Sequence, residues 1–398
     1  MKRVCFLCEG IAHIKFFRNM ENAFENISYE CLYLVLDVSI FLQLKKVTKK
    51  RIILVTKKDF NCFTYNIYQS KDYLEKVITE SNAKKLYKSV IYYCNELEKE
   101  NKIDLFIASQ GILTAEIAVR DFAKSNSIPI LFFELANIKG KTFWDIEGSN
   151  AKSYLYRHIE ILDKYDIEYN EYINWKNEYI KDNFNQHVVK QAVNIKKFNY
   201  TYGLLSRISF LFTGIQLHKS DILTKLKYFI NSRTLKLNYD EFNIEKEKYI
   251  FFPMQVASDS QIILNSDISL FDGLKYAINS AKANKSTLVV KLHPAEKDVD
   301  IIKKVLKLRK EYNFKIIKDN TFQVIANAEK IITINSTVAL EAMILDKPVE
   351  ILGRSYYKFF NHKRIKNYIL GYLENIDFFS DNEFSEEQVR KLVQKCQR

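Results

Sequence analysis

A chain of 398 residues with 47% hydrophobic and 27% charged residues is too apolar to be mainly disordered and too long for one small core, so two domains of ordinary size are expected. Only 4 Pro and 9 Gly stand against 25 Tyr and 28 Phe, which points to regular elements joined by compact loops. The net charge of +13 implies an anionic partner, such as an anionic membrane or a phosphorylated substrate, or else a Lys-rich solvated surface. Lys45, Lys46, Lys49, Lys50, Arg51, Lys57 and Lys58 form its densest cluster. No finger spacing, RNP aromatics or basic zipper accompanies it, so no nucleic-acid partner is expected.

The first half alternates strands and helices. KRVCFLC reads as a strand, EGIAH as a loop, IKFFRNMENAF as a helix, and CLYLVLD and RIILVT as strands. Residues 71–100 read as one long amphipathic helix. IDLFIAS is a strand stopped by Gln110 and Gly111, ILTAEIAVRDFAKS a helix, and IPILFFE a strand ending at Glu134. LANIKGKTFWDIEGSNAKS reads as a loop, and residues 154–235 as mostly helical and attached to the first domain. Within them YGLLSRISFLFTGIQL (202–217) is too short and interrupted to span a bilayer. It is either a buried helix or an interfacial one with Arg207, His218 and Lys219 at headgroup level. The charged run YDEFNIEKEK (239–248) reads as the domain boundary.

The second half repeats the alternation: YIFFP, STLVVKLHP, FKIIKD, KIITINS and KPVEILG as strands, with helices around 269–283, DVDIIKKVLKLRKEY, TFQVIANA and STVALEAMIL between them. Such alternation argues for parallel sheets covered on both faces. The expected fold class is therefore α/β and GT-B-like: two Rossmann-like domains facing across a cleft, with extra helices between them. The expected domains are 1–246, including the helical segment, and 247–398, with a C-terminal helix.

Six cysteines (Cys5, Cys8, Cys31, Cys62, Cys94, Cys396) have no zinc or disulfide spacing, and the Cys5–Cys8 pair lies within an apparent strand, so small core residues are expected. The opening MKRVCFLCEG has no signal-peptide pattern, and a reducing cytoplasm is the expected location.

Three second-half strand ends bring polar groups: Gln255, Ser258 and Asp259; then His293 with Pro294; then Asn335, Ser336 and Thr337. Strand ends of open α/β sheets hold ligands. Ser336 and Thr337 open a helix, where free N–H groups and hydroxyls favour a phosphate, although helix capping alone would also use them. His293 could hold a phosphate or protonate a leaving group. In the first half Glu134 ends a strand, and Glu9 and His13 lie in the first loop; each is a candidate base as much as a structural residue, Glu134 being preferred.

FFPMQVASDSQ, KLHPAE and ITINSTVALEAMILDKPVEILG, with FFELANIKGKTFWDIEGSNAKS and SQG in the first half, resemble the bacterial capsule polysaccharide synthesis family of β-Kdo (3-deoxy-manno-octulosonic acid) transferases. The length is similar to that of members that add the first Kdo to a phosphatidylglycerol-type lipid. Ala136 stands where the family has glycine, on the acceptor side. The resemblance implies a glycosyltransferase that moves Kdo from CMP-Kdo with retention to an anionic phospholipid, in capsular polysaccharide linker synthesis. It also implies attachment to the cytoplasmic face of the inner membrane, and capsule synthesis or export proteins as partners. It makes His293, Ser336 and Thr337 ligands of the CMP phosphate and Asp259 the nucleophile, with Gln255 orienting it or binding the Kdo carboxylate. No metal and no cofactor are expected beyond the donor itself. The alternatives are another CMP-ulosonate such as CMP-sialic acid, a glycan acceptor, or a non-catalytic capsule assembly or export component.

Overall fold

The computed structural model describes residues 1–61, 65–184, 200–217 and 237–396. Cys62, His218 and Lys219 lie outside the described residues. Contacts divide the chain into two compact units. The first holds residues 1–158, 200–217 and 373–396, and the second 159–184 and 237–372.

In the first unit the apolar runs become β1 (Lys2–Cys8), β2 (Tyr29–Val35), β3 (Arg51–Leu54), β4 (Leu105–Ser109), β5 (Ile130–Leu135) and β6 (Thr142–Asp145). They form one sheet in the order β3-β2-β1-β4-β5-β6, with β6 antiparallel to β5 and the rest parallel. This is the 3-2-1-4-5-6 order of a doubly wound sheet, whose crevice opens where the winding reverses, between β1 and β4. The helices are α1 (Ile11–Asn26), α2 (Val38–Val47), α3 (Glu80–Glu100), α4 (Thr114–Ser125), and further along the chain α5 (Tyr169–Phe184), α6 (Tyr200–Ile208) and α7 (Phe210–Thr213). Of these α5 belongs to the second unit. One face of the sheet packs Leu32, Leu34 and Phe106 under α3 and α4, and the other packs Phe6, Tyr33 and Phe133 under α1.

The second unit holds β7 (Tyr249–Pro253), β8 (Thr287–Lys291), β9 (Lys315–Ile316), β10 (Lys330–Thr333) and β11 (Val349–Ile351). They are all parallel, in the order β11-β10-β7-β8-β9. The same winding logic puts the reversal between β7 and β10. Its helices are α8 (Ser260–Asn265), α9 (Leu270–Ala283), α10 (Val299–Tyr312), α11 (Thr321–Asn327) and α12 (Val338–Ile344). A last helix, α13 (Glu386–Lys395), returns to the first unit.

Several expectations are corrected. Residues 373–396 do not extend the second unit. Glu374 bridges Thr142 through paired backbone hydrogen bonds of 3.0 and 2.9 Å, and its buried carboxylate meets Lys395 and Lys391 at 2.8 and 2.9 Å. Phe378, Val389 and Leu392 fill the α1 side of the first core. The run at 239–248 is not a free linker, because Asp240 pairs its backbone N–H with Ile316 O and accepts from Ile316 N and Arg309 at the edge of the second sheet. The helical segment after 154 is shared out, 159–184 to the second unit and 200–217 to the first. The helix expected over 71–100 breaks at Lys76, a positive-φ residue, and restarts when the Thr79 hydroxyl accepts from Asn82 N at 3.3 Å. β6 lies where a loop was expected, and β8 stops at Lys291, leaving His293 and Pro294 in the loop beyond it.

Cys5 and Cys8 are three apart on one strand and so point to opposite faces, into different cores. Burial pushes the Cys5 thiol up to about 12. The basic cluster is also divided. Lys45, Lys46, Lys49 and Lys50 precede β3 at one sheet edge, and Lys57 and Lys58 follow it at the other. Lys50 pairs with Glu25 and Arg51 with Glu100.

Candidate functional site

In the second unit, β10, β7 and β8 are neighbours, so their C-terminal loops share one sheet edge at the winding reversal. The Gln255 amide donates to Asn335 Oδ1 at 3.1 Å, and Asn335 N donates back to Gln255 Oε1 at 3.3 Å. Asn335 Nδ2 also donates to the carbonyls of Gln261 (2.7 Å) and Asn265 (3.0 Å). Both amides are buried, so this pair ties the two loops together across the reversal. Glu296, from KLHPAE, makes the second tie: it accepts from Ala257 N at 2.9 Å and from Asp298 N at 2.8 Å. Neither tie was read from sequence, because each joins residues far apart in the chain.

On this frame Asp259 is the N-cap of α8. Its Oδ1 accepts from Gln261 N at 2.9 Å, and Oδ2 makes no hydrogen bond among the described residues. The half-buried carboxylate is thus oriented by one oxygen and open at the other. His293 is exposed, and its Nδ1 accepts from Ala295 N at 3.1 Å, which places the proton on Nε2. Ser336 Oγ accepts from Val338 N at 3.2 Å as a local cap, while Thr337 is exposed at the start of α12. Ser258 and Pro294 are exposed in the same loops. The structure therefore brings the three predicted groups to one edge, with Gln255 and Asn335 beneath and Asp259, His293 and Thr337 above.

In the first unit a second cluster forms at the ends of β1, β4 and β5. Glu134 accepts from Gln110 Nε2 at 3.0 Å and from Asn150 Nδ2 at 3.3 and 3.1 Å. Gly111 makes this approach possible: its φ is +77°, and a Cβ would lie 3.2 Å from the Phe132 ring and 3.3 Å from Gly148 Cα. Asp145 organises the loop that delivers Asn150, accepting from the backbone of Glu147 (2.9 Å), Gly148 (3.3 Å), Tyr154 (2.8 Å) and Leu155 (3.1 Å).

Glu9 and His13 lie at the end of β1. His13 packs edge-on against Phe17 and Phe133, its Nδ1 is buried without a hydrogen bond, and burial lowers its pKa to about 4, so the ring is neutral. Glu9 Oε2 and Glu116 Oε1 are both buried without a hydrogen bond among the described residues, so two carboxyls lie in one apolar setting. Glu116 is fixed by accepting from Ile112 N (2.7 Å) and Leu113 N (2.9 Å). Burial, then the adjacent Glu116 charge, and then Asp72 hold Glu9 well above the usual carboxylate range.

Folded Glu9 keeps a proton that the unfolded chain releases near 4.5, so stability falls as pH rises above that value. Glu9→Gln, which keeps a donor toward Glu116, is expected to remove that loss. Thermal unfolding should show the variant matched to wild type near pH 4.5 and clearly more stable than it at pH 8. Equal stability at pH 8 would show that folding does not raise the proton affinity of Glu9.

Among known proteins, the sequence model of the family described as "Capsule polysaccharide biosynthesis protein" matches residues 141–361. "Protein FixF" of Sinorhizobium fredii is 35% identical over 114 residues, which is 27% of this chain and 27% of that protein. "Capsule polysaccharide export protein KpsS" of Escherichia coli is 27% identical over 121 residues, 28% of this chain and 31% of that protein. The matched stretches thus span under a third of these relatives' own length. Among solved structures, "Thermosulfurimonas dismutans KpsC, beta Kdo 2,7 transferase" aligns over 100% of this chain and 99% of its own, with 12% identity and a TM-score of 0.48.

Proposed function

The chain belongs to the capsule polysaccharide biosynthesis protein family, and on that premise we propose that it is a glycosyltransferase that takes Kdo from CMP-Kdo. The observation that carries this reading is the meeting of Asp259, His293 and Ser336–Thr337 at the ends of three adjacent parallel strands, at the point where the winding reverses. His293 Nε2–H and the hydroxyls of Ser336 and Thr337, with the backbone beside them, take the donor phosphate, and Ser258 and Pro294 line the same mouth. Gln255 and Asn335 act through the loops they join. A CMP-sugar already carries its phosphate leaving group, so the chemistry needed is a nucleophile and a base.

In the proposed reaction the open oxygen of Asp259 attacks the anomeric carbon, and the bond to CMP breaks with its electron pair leaving on the phosphate. An acceptor hydroxyl then displaces the Asp259 carboxylate from the same carbon, and its proton passes to a general base. Two inversions leave the configuration retained. The acceptor we assign is a phosphatidylglycerol-type lipid.

Isothermal titration tests the donor. CMP-Kdo is expected to bind more tightly than CMP-sialic acid, and His293→Ala is expected to weaken CMP-Kdo binding about tenfold, the loss of one hydrogen bond to a charged group. Tighter binding of CMP-sialic acid would reassign the sugar. An unchanged affinity in His293→Ala would remove His293 from the donor site.

A further inference from the structure

We propose that the outer face of α6 and α7, with Arg207 and Lys57 beside it, is a docking surface for an anionic phospholipid bilayer. The short helical pair is held at the C-terminal edge of the first sheet. Ser206 Oγ donates to Asp37 Oδ2 at 2.5 Å, Val38 N donates to Ser209 Oγ at 3.0 Å, and Lys57 N donates to Thr213 O at 2.6 Å. Asp37 and Lys57 stand just past the ends of β2 and β3. Because β1 to β5 are parallel, this is the edge that also carries Glu9, Gln110 and Glu134.

Ser209, Thr213 and Ile215 are the inner, buried side of this element. Its outer side leaves Leu204, Leu211 and Phe212 61%, 67% and 64% exposed, with Phe210 at 40%. Residues 200–217 contain no Asp or Glu, and Arg207 and Lys57 are exposed. Apolar side chains at a fixed tip with cations around them suit the headgroup boundary of an anionic leaflet. A protein partner fits less well, because a stable interface buries roughly 800 Å² on each side and four side chains on one hairpin offer far less. The basic residues before β3 lie at the opposite sheet edge and take no part. The surface stands independently of the donor. Its consequence, that the acceptor edge is held at lipid headgroups, rests on the proposed function.

Co-sedimentation with phosphatidylglycerol/phosphatidylethanolamine vesicles and with phosphatidylcholine vesicles tests it, using the full chain and a Leu211→Glu/Phe212→Glu variant. Wild type is expected to partition to the anionic vesicles, with at least tenfold less binding to phosphatidylcholine. The double variant is expected to lose at least tenfold while keeping its melting temperature, since both side chains are exposed. Wild type that ignores vesicles, or a variant that binds as well as wild type, overturns the proposal. So does a wild-type dimer that the double substitution converts to monomer without any vesicle binding, which would make the patch a contact between copies. Titration of CMP-Kdo with the same preparations separates the two readings. Vesicle binding without donor binding leaves the surface standing and removes the transferase, and donor binding without vesicle binding does the reverse.

Discussion

Asp259→Asn is expected to abolish transfer, by about a thousandfold or more, while leaving the fold intact. The two oxygens of Asp259 have different tasks. Oδ1 caps α8 by accepting from Gln261 N, and Oδ2 is open. Asparagine caps a helix about as well as aspartate, so its carbonyl oxygen can keep the Gln261 bond, but an amide is a poor nucleophile and a poor leaving group. Asp259→Ala removes both functions and should also cost about 1 kcal/mol of stability from the lost cap. The pair of substitutions therefore separates chemistry from architecture. Thermal unfolding should rank asparagine equal to wild type and alanine below it, whereas a transfer assay should find both dead. An active Asp259→Asn enzyme would leave Asp259 with only its cap.

The second large effect is expected at Asp145, which does not touch the site. Its carboxylate is 2% exposed and accepts from four backbone N–H groups in the 147–155 loop. Alanine would leave those donors without their acceptor, at a cost of about 3–5 kcal/mol, the range for removing one side of a buried charged network. Asp145→Asn should cost less, since one oxygen survives and the new NH₂ meets only part of the loop. Asn150 reaches Glu134 from this loop, so loss of order there would also release Glu134 from that amide donor. Unfolding measurements should show the large loss in Asp145→Ala. Amide hydrogen exchange should show it spreading to 146–155 before the central strands. A wild-type melting curve would contradict the role given to Asp145.

The sheets were largely legible in the sequence because their strands are buried on both faces and read as continuous apolar runs, as in Val4–Leu7 and Ile250–Phe252. The strand ends were legible through their polar residues, which is why Asp259, His293 and Ser336 could be named. What local pattern could not carry is pairing between distant residues. β6 is four residues long and exists because Phe133 and Glu134 pair with Trp144 and Phe143. The return of α13 depends on Glu374 meeting Thr142, Lys391 and Lys395, which no periodicity announces. The same holds for the Gln255–Asn335 tie and for the buried proximity of Glu9 and Glu116, each joining residues about a hundred positions apart or nearly so. The basic cluster misled for the opposite reason: neighbours in sequence were separated by the length of β3.

The most direct test of the central claim is mass spectrometry of the acceptor after incubation with CMP-Kdo generated in situ and short-chain phosphatidylglycerol or its lyso form, with Asp259→Asn alongside. The account predicts a lipid heavier by one Kdo residue with wild type and none with the variant. Lipid unchanged under both enzymes with no CMP released, or the same Kdo adduct formed by Asp259→Asn, would contradict it.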